Sequence, residues 1–162
     1  MRFFPVFMDL QEQDVFVVGG GTVAARKARL LLKSGARLRV AARHLGAELL
    51  ELAGAHPVEH VALDYSPTLL KGARLVFAAT DDPELNRRVY HDAEQAGIPV
   101  NVVDDRENCR FISPAVIDRS PVQVAISTGG TAPVLARRLR GMIERLLPAG
   151  LGRVAEAAAE LR

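Results

Sequence analysis

The sequence predicts an α/β protein with a doubly wound parallel sheet over most of its length. Two short apolar runs, residues 15–18 and 75–79, lack polar alternation, as expected of parallel strands buried on both faces. Helical segments follow these runs, and two of them stop at glycines, Gly35 and Gly97. Alternating strands and helices joined by right-handed crossovers produce a parallel sheet with helices on both faces.

The individual elements are placed by apolar periodicity and by capping residues. Asp82 followed by Pro83 is a strong helix start, because aspartate caps the N-terminus and proline suits the first helical position. The leader before residue 15 is expected to pair as an edge strand. The expected strands are 15–18, 37–42, 58–62, 75–79 and 99–103, and the expected helices are 22–34, 46–53 and 83–96.

A second module follows residue 104, because strand-like segments then occur without intervening helices. Segments 111–112, 115–117 and 122–127 are expected to pair antiparallel, ahead of an amphipathic helix at 132–147. A further helical stretch closes the chain without a stop signal, which predicts a chain cut from a longer protein. The predicted domains are 1–113 for the parallel sheet, 114–147 for a small α+β module and 148–162 for the start of a truncated helical domain.

Composition excludes several functional classes. The net charge of +2 over 162 residues is too small for a nucleic-acid-binding face, and no apolar run is long enough to span a membrane. The lone Cys109 predicts neither a disulfide nor a thiolate metal site, and it is expected to be a small buried side chain. We therefore expect a cytoplasmic protein. Four arginines cluster near the C-terminus: Arg137, Arg138, Arg140 and Arg145.

The three glycines after the first strand match the Rossmann dinucleotide-binding fingerprint. Gly19 would make the tight turn, Gly21 would let a pyrophosphate approach, and Ala24 would pack the helix against the strand. Backbone N–H groups at the start of the helix would then hold the phosphates. The loop between a buried strand and a helix therefore predicts a dinucleotide cofactor.

One expected residue of this fingerprint is missing. An acid that binds the adenosine ribose usually follows about 20 residues on, at the end of the second strand. This chain has Arg43 and His44 there. Arg43 would tolerate a 2′-phosphate, which leaves NADP open, and both residues could equally be ordinary exposed loop residues.

Polar residues at the ends of later strands are candidates for the same crevice. Thr80, Asp81, Asn101 and Asp104 should meet the glycine loop there, because ligands of such sheets bind beyond the carboxyl ends of the strands. Val103, next to Asp104, is a further candidate for contact with the cofactor. Asp104 is a candidate general base or metal ligand. The four histidines are scattered, so no resident metal site is expected.

Together the motifs resemble one family, the siroheme synthase N-terminal region, also called precorrin-2 dehydrogenase/sirohydrochlorin ferrochelatase. The resemblance spans the chain and is most specific where NVVD is followed by the long segment 111–140. The matching segments are VGGGTVAARKARLLL (18–32), AATDD (78–82), NVVD (101–104), FISPAVIDRSPVQVAISTGGTAPVLARRLR (111–140) and LPAGLGRVAEAAAELR (147–162).

This resemblance implies an activity. Precorrin-2 would be oxidised to sirohydrochlorin with NAD, and ferrous iron would then be inserted to give siroheme, both in one cleft. Asp104 would be the general base and take part in chelation. Thr22, Val23, Arg43 and His44 occupy the family's NAD-contacting positions, and the family commonly lacks the ribose-binding acid, which favours NAD over NADP.

The resemblance also implies partners. Family members are homodimers that exchange contacts through the module at 114–147, and longer relatives carry a fused C-terminal uroporphyrinogen-III methyltransferase domain. Arginines near the dimer cleft would suit a tetrapyrrole substrate rich in carboxylates.

Two other interpretations compete with this one. A regulatory NAD(H)-binding Rossmann module would bind the cofactor without catalysis, but such modules usually keep the ribose-binding acid and would not need Asp104. An NADP-dependent reductase would need a proton donor near the cofactor, and neither Tyr65 nor Tyr90 follows a strand end.

Overall fold

The computed structural model describes residues 2–161, which form two compact units. The first unit comprises residues 5–111, and the second comprises residues 112–161 together with residues 2–4. The α/β class predicted from the sequence is confirmed.

The first unit is a five-stranded parallel sheet with the order β3-β2-β1-β4-β5. Val18, the last residue of β1, pairs with Ala41 of β2 and with Ala78 of β4, so three strands end together at one edge. The elements are β1 (Asp14–Val18), α1 (Thr22–Lys33), β2 (Arg37–Ala41), α2 (Ala47–Ala55), β3 (Val58–Ala62), β4 (Leu75–Ala78), α3 (Pro83–Gln95) and β5 (Val100–Val102), with a short 3₁₀ helix at Pro67–Leu70.

The core of this unit lies on both faces of β1. Val15 and Val17 pack into one apolar cluster with helix α1, and Phe16 and Val18 pack into a second cluster with helix α3. All four side chains are buried, which explains why the strand is a continuous apolar run without alternation. The central strand of the sheet is therefore held by packing on both faces, and the glycine loop follows directly from its end.

Two expected strands are not formed. The leader, residues 5–13, makes no strand in the described chain, and its Val6 and Phe7 are exposed. Pro5 lacks the N–H that a sheet ladder requires. Phe111 is also outside any strand. Its carbonyl accepts a hydrogen bond from the side chain of Asn101 and is not used in a sheet ladder. The nearby pairing with β5 is a single bridge between Asn101 and Cys109.

The second unit contains an antiparallel hairpin and two helices. These are β6 (Ala115–Arg119), β7 (Val122–Ile126), α4 (Pro133–Leu146) and α5 (Leu151–Glu160). Helix α5 lies close to the hairpin turn: a Cβ on Gly152 would come within 2.0 Å of the Ser120 carbonyl oxygen. Residues 148–161 thus belong to the same compact unit as the hairpin, and a separate helical domain beginning at residue 148 stays a prediction.

Across residues 2–161, none of the helices combines the length and the apolar character needed to cross a membrane.

Asp82 caps α3 as the sequence predicts, and its removal should destabilise the protein. Its carboxylate accepts hydrogen bonds from the backbone N–H groups of Glu84 and Leu85, at 2.9 and 3.1 Å. We expect Asp82→Ala to lower the free energy of unfolding by about 1 kcal/mol, measured by urea denaturation. Asp81→Ala is the matched control and should change it by less than about 0.5 kcal/mol. Equal losses in the two variants would contradict the capping role.

Candidate functional site

A cleft of about 930 Å³ opens at the carboxyl ends of the strands in the first unit. Its position is the one that the sequence predicts for the ligand crevice of a doubly wound sheet. Every predicted site residue except Asn101 lines it. Those lining it are Gly19, Gly21, Thr22, Val23, Arg43, His44, Thr80, Asp81, Val103 and Asp104.

The three glycines of the loop meet different surroundings. Gly19 has a φ of +121°, and a Cβ there would lie 2.3 Å from the Ala79 carbonyl oxygen, so no other residue fits the turn. A Cβ on Gly20 would lie 1.9 Å from the His44 carbonyl oxygen, because the loop after β2 folds onto it. Gly21 faces open space, with nothing within 4 Å of an added Cβ. The missing side chain at Gly21 therefore leaves room beside the helix for a ligand.

The N-terminus of α1 has backbone donors that its own side chains do not cap. Gly21 is the N-cap residue and supplies no side-chain hydrogen bond, and the first turn contains no acidic residue. By contrast, α3 begins at the same cleft with Asp82 as its cap and Glu84 in its first turn. An uncapped helix N-terminus has unpaired N–H groups and a partial positive charge, which suit a phosphate group.

On one side of the glycine loop, the ends of β2 and β3 bring together Arg43 and Asp64. Arg43 Nε lies 3.0 Å from Asp64 Oδ1, and both side chains are largely exposed in the cleft. The neighbouring Tyr65 is buried, and its hydroxyl donates to Asp92 Oδ2 at 2.9 Å. Burial and this hydrogen bond raise the pKa of Tyr65 well above its usual range. Tyr65 is thus a neutral anchor for the segment that carries Asp64.

On the other side of the loop, Thr80 is held by Asn86. The Thr80 hydroxyl lies 2.8 Å from Asn86 Oδ1, and Asn86 Nδ2 donates to the Thr80 carbonyl at 2.9 Å. The Thr80 hydroxyl also accepts from the Asp82 N–H at 3.2 Å. Asn86 is buried, so these bonds satisfy an amide that would otherwise be costly. They fix the loop between β4 and α3 at the floor of the cleft.

Asp104 sits in a tight turn directly after β5. Its φ is +60°, in the left-handed region, and the Asp105 N–H donates to the Val102 carbonyl across the turn at 3.3 Å. A positive φ is uncommon for a residue other than glycine, although aspartate and asparagine tolerate it best. The Asp104 side chain is exposed and lines the cleft. An outlier of this kind at a strand end is a reason to look for function.

The neighbouring carboxylate, that of Asp105, accepts hydrogen bonds from within its own loop. Asn108 donates to it through its side-chain amide at 2.7 Å and through its backbone N–H at 3.2 Å. Hydrogen bonds from Asn108 lower the pKa of Asp105, despite partial burial. Asp105 therefore shapes the loop, whereas Asp104 presents its carboxylate to the cleft.

Asn101 does not line the cleft, contrary to the expectation. Its amide donates to the Phe111 carbonyl at 2.8 Å and to Cys109 Sγ at 3.3 Å. Cys109 is buried, and its Sγ lies 3.1 Å from the Val102 carbonyl oxygen and 3.0 Å from that of Asp105. In a strand, alternate side chains face opposite ways, and Asn101 lies on the face away from Val100 and Val102. Asn101 and Cys109 therefore brace the turn that carries Asp104.

Sequence reasoning missed several residues of the site. Asp64 and Tyr65 follow a strand predicted without any ligand-binding motif, and their proximity to Arg43 depends on the pairing of β2 with β3. Asn86 was detectable as a polar residue on the buried face of α3, between Asp82 and Val89. Lys27 of α1 does not line the cleft, but its charge interacts with that of Asp104: its ammonium lies 5.7 Å from the centre of the Phe77 ring, and burial lowers its pKa against the influence of Cys109 and Asp104.

Within residues 2–161, there is no group of three or more His, Cys, Asp or Glu side chains arranged to hold a metal ion. The fit of the cleft to a nicotinamide dinucleotide depends on two features described above. These are the open space at Gly21 and the uncapped N-terminus of α1.

The chain is similar in sequence to proteins of siroheme biosynthesis. Residues 119–146 match a family model described as "Sirohaem biosynthesis protein central". Over its whole length, the chain is 55% identical to a siroheme synthase of Chromobacterium violaceum and 52% identical to one of Neisseria meningitidis serogroup C. It spans 34% of the length of each, about a third of these curated relatives. The resemblance drawn from the motifs is thereby confirmed.

A solved structure shares the fold. The structure titled "SirC, precorrin-2 dehydrogenase" superposes with a TM-score of 0.78 at 25% sequence identity, and the match covers 98% of this chain and 78% of that one. Residues 6–115 match the family model described as "Putative NAD(P)-binding", which supports the use of NAD. Because that model covers more than half of the chain, the protein belongs to this NAD(P)-binding family.

Proposed function

We propose that this chain oxidises precorrin-2 to sirohydrochlorin with NAD⁺ and then assists insertion of Fe²⁺ to give siroheme, in the cytoplasm. The observation that carries the proposal is the presence, in one cleft, of open space beside Gly21, here called the Gly21 cradle, and an exposed carboxylate at Asp104. The similarity to siroheme synthases and to a precorrin-2 dehydrogenase supports this choice of substrate.

The residues around the glycine loop would bind the cofactor. The backbone N–H groups of Thr22 and Val23, at the uncapped start of α1, would hold its pyrophosphate. Arg43 and His44 would lie beside the adenosine, since they follow β2 on the side away from β4. Asp81 and Val103 would lie toward the nicotinamide, on the side of β4 and β5. When bound, NAD⁺ supplies the oxidant, because its nicotinamide accepts a hydride.

Asp104 would act on the substrate. Conversion of precorrin-2 to sirohydrochlorin removes two electrons and two protons, as one hydride and one H⁺. The exposed carboxylate of Asp104 would take the H⁺, because it lines the cleft in which the substrate would bind. The positive φ of Asp104 places that carboxylate on a braced turn, which limits its freedom to move away from the substrate.

The chelation step would use the same carboxylate. Insertion of Fe²⁺ into sirohydrochlorin releases two protons from pyrrole nitrogens. Asp104 would accept these one at a time, releasing each to solvent, or its carboxylate oxygen would bind the incoming Fe²⁺ before insertion. Fe²⁺ is a substrate in this scheme.

The second unit would form a homodimer through α4. Helix α4 carries an apolar stripe whose members recur at helical spacing, and three of the four are exposed. The stripe consists of Leu135, Leu139, Met142 and Leu146. An exposed apolar stripe of this kind is typical of a helix that packs against a partner. The match of residues 119–146 to the sirohaem central model supports a family role for this segment. A fused methyltransferase domain is likewise proposed, since the relatives are about three times longer.

The Gly21 cradle is tested by adding one methyl group. We expect Gly21→Ala to raise the Kd for NADH by roughly tenfold or more, since the methyl displaces a phosphate from charge-assisted hydrogen bonds. Binding is measured by NADH fluorescence titration. Gly54→Ala in α2 is the control: it also adds a Cβ to open space, far from the cleft, and should leave the Kd unchanged. An unchanged Kd for Gly21→Ala would contradict the cradle.

The role of Asp104 is tested by Asp104→Asn. Asparagine tolerates the positive φ, so the melting temperature should hold, while loss of the base should lower kcat by about 10²- to 10⁴-fold. The assay supplies precorrin-2, NAD⁺ and Fe²⁺ and follows NADH formation and the change in tetrapyrrole absorption.

Two controls sharpen this test. Glu51→Gln removes an exposed carboxylate of α2 that does not line the cleft, and it should retain most of the turnover. NADH binding by Asp104→Asn should stay within about twofold of normal, because general-base catalysis acts on the substrate. Near-normal turnover by Asp104→Asn would refute its role, and NADH binding without turnover by the unaltered chain would favour a regulatory module instead.

Dimerisation is tested on the apolar stripe. Leu146 is 78% exposed, so Leu146→Glu should destabilise the monomer little. In a dimer the new carboxylate would be buried at the interface, so the dimer should dissociate. Sedimentation velocity would detect the change. Leu50→Glu, on an exposed site of α2 in the other unit, is the control and should leave the dimer intact. A stripe variant that stays dimeric would place the interface elsewhere.

A further inference from the structure

We infer that Asp64 is the residue that selects NAD over NADP in this chain. The inference assumes the proposed binding of the dinucleotide in the cleft, and it assigns a specificity role to a residue that follows the third strand. The usual acid of such folds follows the second strand. In this chain that position holds Arg43, and Asp64 lies 3.0 Å from it.

The topology explains how a residue from β3 reaches this position. Strand β2 lies between β1 and β3, and Ala41 of β2 pairs with both Val18 of β1 and Ala62 of β3. The chains leaving all three strands therefore emerge at one edge. Asp64 comes two residues after Ala62, as Arg43 comes two residues after Ala41, so their side chains meet above neighbouring strand ends.

The position of Asp64 is built into the fold. The adjacent Tyr65 is buried, with its ring 6.4 Å from that of Phe16 and its hydroxyl bonded to Asp92 of α3. This anchor fixes the backbone that carries Asp64. The ion pair itself adds little to stability, because the Arg43 and Asp64 side chains are 82% and 74% exposed. Its consequence is chemical, since it sets the charge at the adenosine end of the cleft.

A carboxylate at this place has two effects on cofactor choice. It can accept a hydrogen bond from the 2′-hydroxyl of the adenosine ribose, as the usual acid does. It also engages Arg43, the cation that a 2′-phosphate would need, and it repels the dianionic phosphate directly. An arginine in place of the usual acid would by itself favour NADP; Asp64 reverses that preference.

The experiment measures the Kd values of NADH and NADPH for the chain and three variants by fluorescence titration. The unaltered chain should prefer NADH. Asp64→Asn keeps the size of the side chain but removes its charge and frees Arg43, so the NADPH-to-NADH preference should shift by roughly tenfold or more toward NADPH. Adding Arg43→Ala to Asp64→Asn should abolish the gain in NADPH affinity. Asp14→Asn is the matched control: it breaks the comparable 2.9 Å ion pair with Arg37 at the amino end of the strands and should leave both Kd values unchanged.

Salt gives a second readout. The NADPH affinity gained by Asp64→Asn should fall as ionic strength rises, because it depends on an exposed charge pair. An unaltered preference in Asp64→Asn, or equal binding of both cofactors by the unaltered chain, would overturn the role of Asp64 while leaving the cleft as the cofactor site. Failure of the unaltered chain to bind either cofactor would overturn the proposed binding site and this inference together.

Discussion

The close approach of two buried strand ends determines the rest of the cofactor-binding unit. Because β1 and β4 are parallel neighbours and both are buried, the chain leaving β1 passes directly beside the chain leaving β4. A side chain at Gly19 would collide with the Ala79 carbonyl. The same approach brings the glycine loop beside Thr80. The turn of Asp104 lies next to them, because the Val103 N–H donates to the Ala78 carbonyl at 2.9 Å. Three of the loops that line the cleft are therefore positioned by one packing constraint.

Much of this architecture is predictable from the sequence because it depends on local rules. The unalternated run 15–18 predicts a strand buried on both faces, and Asp82 predicts a helix start; the structure has both. The gathering of Gly21, Thr80 and Asp104 in one cleft follows from topology alone, since parallel strands present their carboxyl ends at one edge. No detailed knowledge of side-chain packing is needed for these predictions.

The remaining features depend on contacts between distant segments. Asp64 meets Arg43 only because β2 pairs with β3 through a register shift between Val40 and Ala41, which no local pattern encodes. In a strand as short as β5, apolar periodicity does not identify the face on which Asn101 lies, and its partner Phe111 is ten residues away. The leader has strand-like composition, but Pro5 removes a donor, and its backbone meets the sheet only at its end, where the Arg37 N–H donates to the Gln13 carbonyl.

Asn101, which lies outside the cleft, and Asp104, which has a positive φ, belong to one network of contacts. A positive φ at an aspartate costs on the order of 1 kcal/mol, so an unrestrained loop would relax away from it. Here Asn101 holds Cys109, Cys109 contacts the carbonyls of Val102 and Asp105, and Asn108 binds the Asp105 carboxylate. These bonds involve the residues on both sides of Asp104 and leave its own carboxylate to the cleft. Asn101 thus contributes to the site from outside the cleft, because its contacts restrain the Asp104 backbone in the positive-φ conformation.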